Sequence, residues 1–216
     1  MMGNRPDFGM PLAEAMRTQR SIRRLKADPV DDEVVLGLID LALKAPTASN
    51  AQGWEFILVR DSKTKNALAH LNRQLWRLYA RIGRWATRHD PKRRRMLSAV
   101  QWQADHFQDA PVIVVACLKG AYIPFLHISA ASYFGSIFPS VQNLLLAARA
   151  VNLGASLTTI PLWNLSRVRR VLGLPWNITP CAVIPLGWPL GRYGPTTRKP
   201  VHEVVSYDRF GKRSAS

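Results

Sequence analysis

Apolar residues recur at three- and four-residue spacing through 31–45, where Val34, Val35, Leu38, Ile39, Leu41 and Ala42 form one stripe, and this predicts an amphipathic helix. Asp31, Asp32 and Glu33 suit the positive end of that helix, and Pro29 punctuates the approach to it. A shorter helix is expected over 10–20. The apolar runs at 54–60, 110–118, 155–160 and 180–187 have strand length, and the spacing over 62–88 and 91–107 predicts two further helices, the second opened by Pro91. Residues 128–151 are small or apolar almost throughout, interrupted by Gln142 and Asn143. They predict a helix buried on several sides, with a kink or break at Pro139 and its end at Gly154. A basic helix over 164–172 closes at Gly173, and Val201–Val205 could pair as an edge strand. Helices and strands alternate with no internal repeat.

The chain has 216 residues, 47% of them apolar, and no linker-like tract divides it. One domain over 10–206 is expected, with a C-terminal extension at 188–216 that wraps a partner subunit. The longest apolar run, Ala110–Leu118, is too short for a bilayer span, and the N-terminus lacks the apolar stretch of a secretory signal, so a cytoplasmic location is expected. Cys117 and Cys181 stand in separate apolar segments without metal-ligand spacing; they read as buried thiols, and no metal is implied.

A formal charge of +16 changes the picture. Much of it lies in a basic helical insert at about 70–107, where Arg73, Arg77, Arg81, Arg84, Arg88, Lys92, Arg93, Arg94 and Arg95 face a single acid, Asp90, before Asp105. The arginines from 73 to 88 fall along one helical face, and Leu75, Leu78, Tyr79, Ile82 and Trp85 along another. Such a face is a solvated exterior or a contact for an anion. Nucleic-acid binding through it is the alternative from a different class, with no helix-turn-helix, zinc or RNP-type signature beside it.

Three segments carry groups suited to a planar, phosphorylated ligand. In Gln19-Arg20-Ser21-Ile22-Arg23, extended backbone would turn Ser21 and Arg23 the same way, toward an anion. The elbow Ala45-Pro46-Thr47-Ala48-Ser49-Asn50-Ala51-Gln52-Gly53-Trp54 offers the amides of Asn50 and Gln52, although the same composition fits an ordinary helix-to-strand loop. Thr196-Thr197-Arg198-Lys199-Pro200 supplies two further cations. Each segment alone also fits a solvated surface.

Taken in order, these segments, together with QNLLLAA in the central helix, LTTIPL after it and PLGWP before the last segment, resemble the FMN-dependent nitroreductase family over about residues 17–206. The resemblance implies an α+β, three-layer fold, a central mostly antiparallel sheet flanked by helices, in an intertwined homodimer with FMN in clefts between subunits. On that reading Arg20, Ser21 and Arg23 line the flavin phosphate and ring edge, with Gln19 where many relatives carry Arg, and Arg198 helps to hold the phosphate. Pro46, Thr47, Ala48, Asn50 and Gln52 approach the flavin from the partner, and Leu157, Thr158 and Thr159 pass beside the ring, where a backbone N–H can donate to N5.

The implied activity is ping-pong: hydride from NADH or NADPH to flavin N5, then reduction of a nitroaromatic, quinone or related conjugated electrophile. Arg23 would stabilise the negative charge of the reduced ring. No catalytic acid or base is required, and His70, His89, His106, His127 and His202 show no pairing pattern. The sequence has no GxGxxG, so the nicotinamide is a transient substrate. The insert becomes a lid over the flavin, whose Trp76, Tyr79, Trp85 and Trp102 could stack on a substrate or pack in a core. Reductive dehalogenation and flavin cleavage are alternatives on the same scaffold. Dehalogenation of a zwitterionic iodotyrosine is disfavoured, because the insert has no Glu to meet an ammonium group.

Overall fold

The computed structural model describes residues 6–86, 89–123 and 125–213. Its centre is a four-stranded sheet of order β1-β2-β4-β3, formed by β1 (Trp54–Val59), β2 (Val112–Lys119), β3 (Gly154–Ala155) and β4 (Ile178–Gly187). All its pairings are antiparallel, with Trp54 opposite Leu118, Val112 opposite Leu186 and Gly154 opposite Gly187.

Alternation along β2 explains the layers. Val112, Val114, Ala116 and Leu118 pack with Leu38 of α2 (Asp32–Ala42) and with Val141, Leu144 and Ala148 of α6 (Phe138–Ala150). Ile113, Val115 and Cys117 pack on the other side with Leu68 and Leu71 of α3 (Ser62–Ala86) and Val168 of α7 (Leu165–Leu172). A sheet covered on both faces needs a continuous apolar run, and 112–118 supplies it. The chain is therefore an α+β protein of helix, sheet and helix layers.

Helix ends follow their local chemistry. Asp90 caps α4 (Pro91–Asp105) by accepting from the Arg93 N–H at 3.0 Å, and Asn164 caps α7 by accepting from the Arg167 N–H at 3.1 Å. Gly173 closes α7 with φ of 64°, a left-handed value that glycine adopts without a Cβ penalty. The break expected at Pro139 occurs just before it, between α5 (His127–Gly135) and α6, with the proline in the first turn, where its missing N–H costs nothing. The short first helix, α1, spans Leu12–Thr18.

Three expectations are corrected. Gly154 does not end α6: Asn152 takes the left-handed turn at φ 59°, and Gly154 begins β3. A Cβ there would meet Leu25 Cδ2 at 2.7 Å and Ile22 Cγ2 at 2.8 Å, so glycine is needed for the close passage of the 22–25 segment. The strand over 155–160 shrinks to two paired residues. Thr158 returns to pair with Val183 in the register set by Gly154 and Gly187, and a 3-10 turn at Ile160–Trp163 containing Pro161 then ends it. Val201–Glu203 is a 3-10 turn and no edge strand. The sheet edge at β3 is already occupied, by Ile22 donating to the Ala155 carbonyl and by the bridge between Leu25 and Pro189.

The insert forms the hairpin α3–α4. Its packed face differs from the expected one: Leu68, Leu71, Asn72, Trp76 and Ala80 are buried, whereas Leu78, Tyr79, Ile82 and Trp85 are exposed. The periodicity identified an apolar stripe correctly, but the body of this chain covers only its root. No described helix is long and apolar enough to cross a membrane.

Candidate functional site

The basic segment after α1 runs along the β3 edge. Ile22 donates to the Ala155 carbonyl at 3.0 Å, Lys26 to that of Trp188 at 2.8 Å, and Leu190 to that of Arg24 at 3.0 Å, so the segment is fixed between β3 and the C-terminal strap. Arg23 is partly buried, and Arg20 is close enough to act on its charge. Burial, and next the repulsion from Arg20, lower the Arg23 pKa below the ordinary arginine value. Neither guanidinium has an ion pair among the described residues. Two neighbouring cations without a carboxylate partner suit an anion.

The strap brings the third basic segment to the same corner. Thr196 donates to the Arg17 carbonyl twice, through its N–H and its hydroxyl, both at 3.1 Å. Arg198 lies two residues further on, exposed, with one bond to the Thr197 carbonyl at 2.9 Å. Leu157 and Thr158 are half-buried and Thr159 exposed along the same edge. Thr158 exchanges two backbone bonds with Val183, each 2.9 Å, while the Thr159 N–H has no acceptor among the described residues. Gln19, Arg20, Ser21, Arg23, Leu157, Thr158, Thr159 and Arg198 thus share one edge of the sheet.

The elbow is elsewhere. It leads into β1, at the opposite edge and at the end of the sheet marked by Leu118 and Thr179. β4 alone, running from the elbow's end of the sheet to Gly187, is about 30 Å long. Pro46, Thr47, Ala48, Asn50 and Gln52 are therefore not brought to the basic corner of their own chain.

Within the elbow, Ser49, Asn50 and Gln52 have φ of 52°, 53° and 48°. Left-handed backbone at non-glycine residues is strained, and strain gathers where a ligand or partner is met. The fold holds it by local bonds: Gln52 N–H to Thr47 Oγ1 at 3.1 Å, Gln52 Nε2 to Asn50 Oδ1 at 3.1 Å, and Ala48 N–H to Ser136 Oγ at 3.0 Å. The two amides therefore bond each other, leaving Asn50 Nδ2 and Gln52 Oε1 for a partner. A cavity of about 260 Å³ adjoins the elbow, lined by Thr47, Ala48, Lys119, Ser129, Ser132 and Tyr133 among others.

The four lid aromatics divide. Trp76 is in the core, its indole N–H bonded to Gln101 Oε1 at 2.8 Å, and Trp102 stacks on His106 with ring centroids 4.1 Å apart. Tyr79 and Trp85 are exposed. Trp76 packs with Ile160, so the lid is rooted beside the Leu157–Thr159 segment.

Sequence reasoning missed Arg149, a nearly buried cation in α6, and Tyr193, which receives it; the signal was a lone arginine in an otherwise apolar helix. Among the described residues no group of His, Cys, Asp and Glu could hold a metal ion.

Comparison with known proteins identifies the family. The family model described as the nitroreductase family matches residues 16–188. An NADH dehydrogenase of Thermus thermophilus is 30% identical over 198 residues, covering 87% of this chain and 91% of that protein. Iodotyrosine deiodinase 1 of Rattus norvegicus is 27% identical over 180 residues, covering 82% of this chain and 61% of its own length. A crystal structure of oxidized iodotyrosine deiodinase bound to FMN and 3-iodo-L-tyrosine superimposes with a TM-score of 0.73 at 21% identity, covering 93% of this chain and all of that one. With the family model spanning most of the chain and the layer order in agreement, the protein belongs to the nitroreductase family.

Proposed function

We propose that this protein is an FMN-dependent NAD(P)H oxidoreductase that works as a homodimer and reduces nitroaromatic, quinone or related conjugated electrophiles in ping-pong order. The observation that carries the reading is the Arg20–Arg23 pair, near enough for one charge to act on the other and without an ion pair among the described residues. An FMN phosphate supplies the missing counter-charge, and the Leu157–Thr159 edge, with an unused N–H at Thr159, suits the rim of a planar ring.

When bound, FMN accepts hydride from the nicotinamide and delivers it to the electrophile, so no side chain need act as acid or base. Arg20, Ser21 and Arg198 would hold the phosphate, with Gln19 beside them. Arg23, partly desolvated, would offer its charge to the ring edge, where a low local dielectric strengthens its effect. Tyr79 and Trp85 present exposed rings at the lid and could cover an aromatic acceptor, while Trp76 ties α3 to α4 through Gln101 and Trp102 stacks on His106 at the end of its own helix.

The diagonal placement of the two half-sites supports the homodimer. A ligand at the basic corner is out of reach of its own chain's elbow, so Pro46, Thr47, Ala48, Asn50 and Gln52 can serve a flavin only across a subunit boundary. Exposed Leu12, Met16, Leu36, Phe125, Ile128 and Phe138 offer apolar surface of the kind a stable dimer buries.

The test is direct. Purified protein should bind FMN, bleach with NADH or NADPH under argon, recolour on adding a quinone or nitroarene, and sediment as a dimer; Arg23→Ala and Asn50→Ala should each loosen FMN. Failure to bind FMN at all would sink the reading. Reductive dehalogenation is the second reading, favoured by the likeness to the rat deiodinase, and release of halide from a halophenol under argon would select it.

A further inference from the structure

We infer that Arg149 is the positioning residue of the phosphate corner: it touches no ligand-facing group and locks together the two segments that supply the phosphate-binding cations. The inference rests on the FMN reading above. Arg149 stands in the last turn of α6 with its side chain 9% exposed. Its Nε donates to Thr18 Oγ1 at 2.7 Å, its Nη1 to Asn152 Oδ1 at 2.8 Å, and its Cζ lies 4.4 Å from the centre of the Tyr193 ring.

Those partners are the roots of the basic corner. Thr18 is the last residue of α1 and immediately precedes Gln19-Arg20-Ser21. Its hydroxyl also donates to the Glu14 carbonyl at 2.7 Å, so the Arg149 bond fixes the end of the helix from which Arg20 and Arg23 are launched. Tyr193 belongs to the strap that carries Arg198. Its hydroxyl donates to the Leu153 carbonyl at 2.5 Å, and Thr196 beyond it is tied to Arg17. One guanidinium thus braces α1 and the strap from the α6 side, beside the direct tie from Thr196 to the Arg17 carbonyl.

Stability alone is a poor account of this arrangement. A guanidinium taken out of water wants a carboxylate in contact, yet the nearest, Glu14, is 3.9 Å away and mostly exposed. The remaining partners are a neutral hydroxyl, a neutral amide and an aromatic face, which satisfy its geometry and add no carboxylate beyond that long ion pair. The planar fork ties the end of α1 to the turn that follows α6, while its face meets the Tyr193 ring of the strap. Lysine, a single flexible point charge, cannot do both.

The experiment compares FMN with riboflavin, which lacks the phosphate, by flavin fluorescence quenching on the apoprotein. Wild type should prefer FMN strongly. Arg149→Lys and Thr18→Val should weaken FMN at least about tenfold and riboflavin by less than about threefold, and Thr18→Ser, which keeps the hydroxyl, should restore the preference. A purely structural role would weaken both ligands alike. Equal loss for FMN and riboflavin, or an unchanged FMN preference in Thr18→Val, overturns the inference; should Arg149→Lys fail to fold, the Thr18 pair decides. A wild type with no preference for FMN counts against the functional reading itself, so the two failures are distinguishable.

Discussion

Gln103 Nε2 donates to Ser156 Oγ at 2.5 Å, and both residues are buried. The bond joins α4, the second arm of the lid hairpin, to the residue just before Leu157-Thr158-Thr159. It is the polar pin between the lid and the segment assigned to the ring of the flavin.

Removing one end of that pin should cost more than removing both. Ser156→Ala leaves a buried carboxamide without its acceptor, a loss of about 1–3 kcal/mol, while Ser156→Ala with Gln103→Leu should recover part of it. Urea denaturation of the two single variants and the double variant measures this, and strict additivity would show that the pin contributes nothing as a pair.

Gly154→Ala should be disproportionately harmful for a change of one methyl group. The new Cβ would press on Ile22 and Leu25, and overpacking of this kind costs about 1–3 kcal/mol. Because the 22–25 segment carries Arg23, FMN affinity should fall with stability. Wild-type behaviour in both thermal melting and flavin titration would contradict the close approach.

The left-handed backbone of the elbow makes opposite predictions for two substitutions at one position. Ser49→Gly should leave stability within about 1 kcal/mol of wild type, since relief of strain offsets the added freedom of the unfolded chain. Ser49→Val should cost about 1–2 kcal/mol, because a β-branched residue tolerates a φ of 52° poorly. Chemical denaturation ranks them, and a valine variant as stable as the glycine variant would remove the argument for strain.

Alkaline pH should destabilise the protein through two buried thiols and one partly buried phenol. Burial pushes the Tyr193 hydroxyl from its ordinary 10.0 up to about 12, and the thiols of Cys117 and Cys181 from 9.0 up to about 12 and about 11. As pH rises the unfolded chain loses these protons first. The stabilising contribution is therefore complete below 9.0 and declines as pH passes from there toward 12. Urea midpoints measured across that window should fall, and Tyr193→Phe should flatten the part above 10.0.

Much of the fold was legible because single residues announced it. The stop at Gly173, the start at Pro91 and the break at Pro139 act locally, and the apolar run of β2 suits a sheet covered on both sides. What periodicity could not tell was which apolar stripe its own chain would cover. Along α3 it marked Leu78, Ile82 and Trp85 as a face, but burial depends on what lies opposite, and in this chain all three stay exposed. The basic corner was readable from Arg20-Ser21-Ile22-Arg23, whose neighbours in space are neighbours in sequence. Its clamp was not, because Arg149 and Thr18 lie 131 residues apart and meet only after α1 docks on α6.

On the proposed homodimer, the diagonal separation of elbow and basic corner has a genetic consequence. In a two-chain enzyme whose clefts each draw on both subunits, a chain damaged at Arg23 and a chain damaged at Asn50 complement one another. A mixed dimer gathers both lesions into one cleft and leaves the other intact, so an equal mixture of two inactive proteins, unfolded and refolded together, should regain activity in about a quarter of its clefts. Two lesions on the same half-site, Arg20 with Arg23, should regain none.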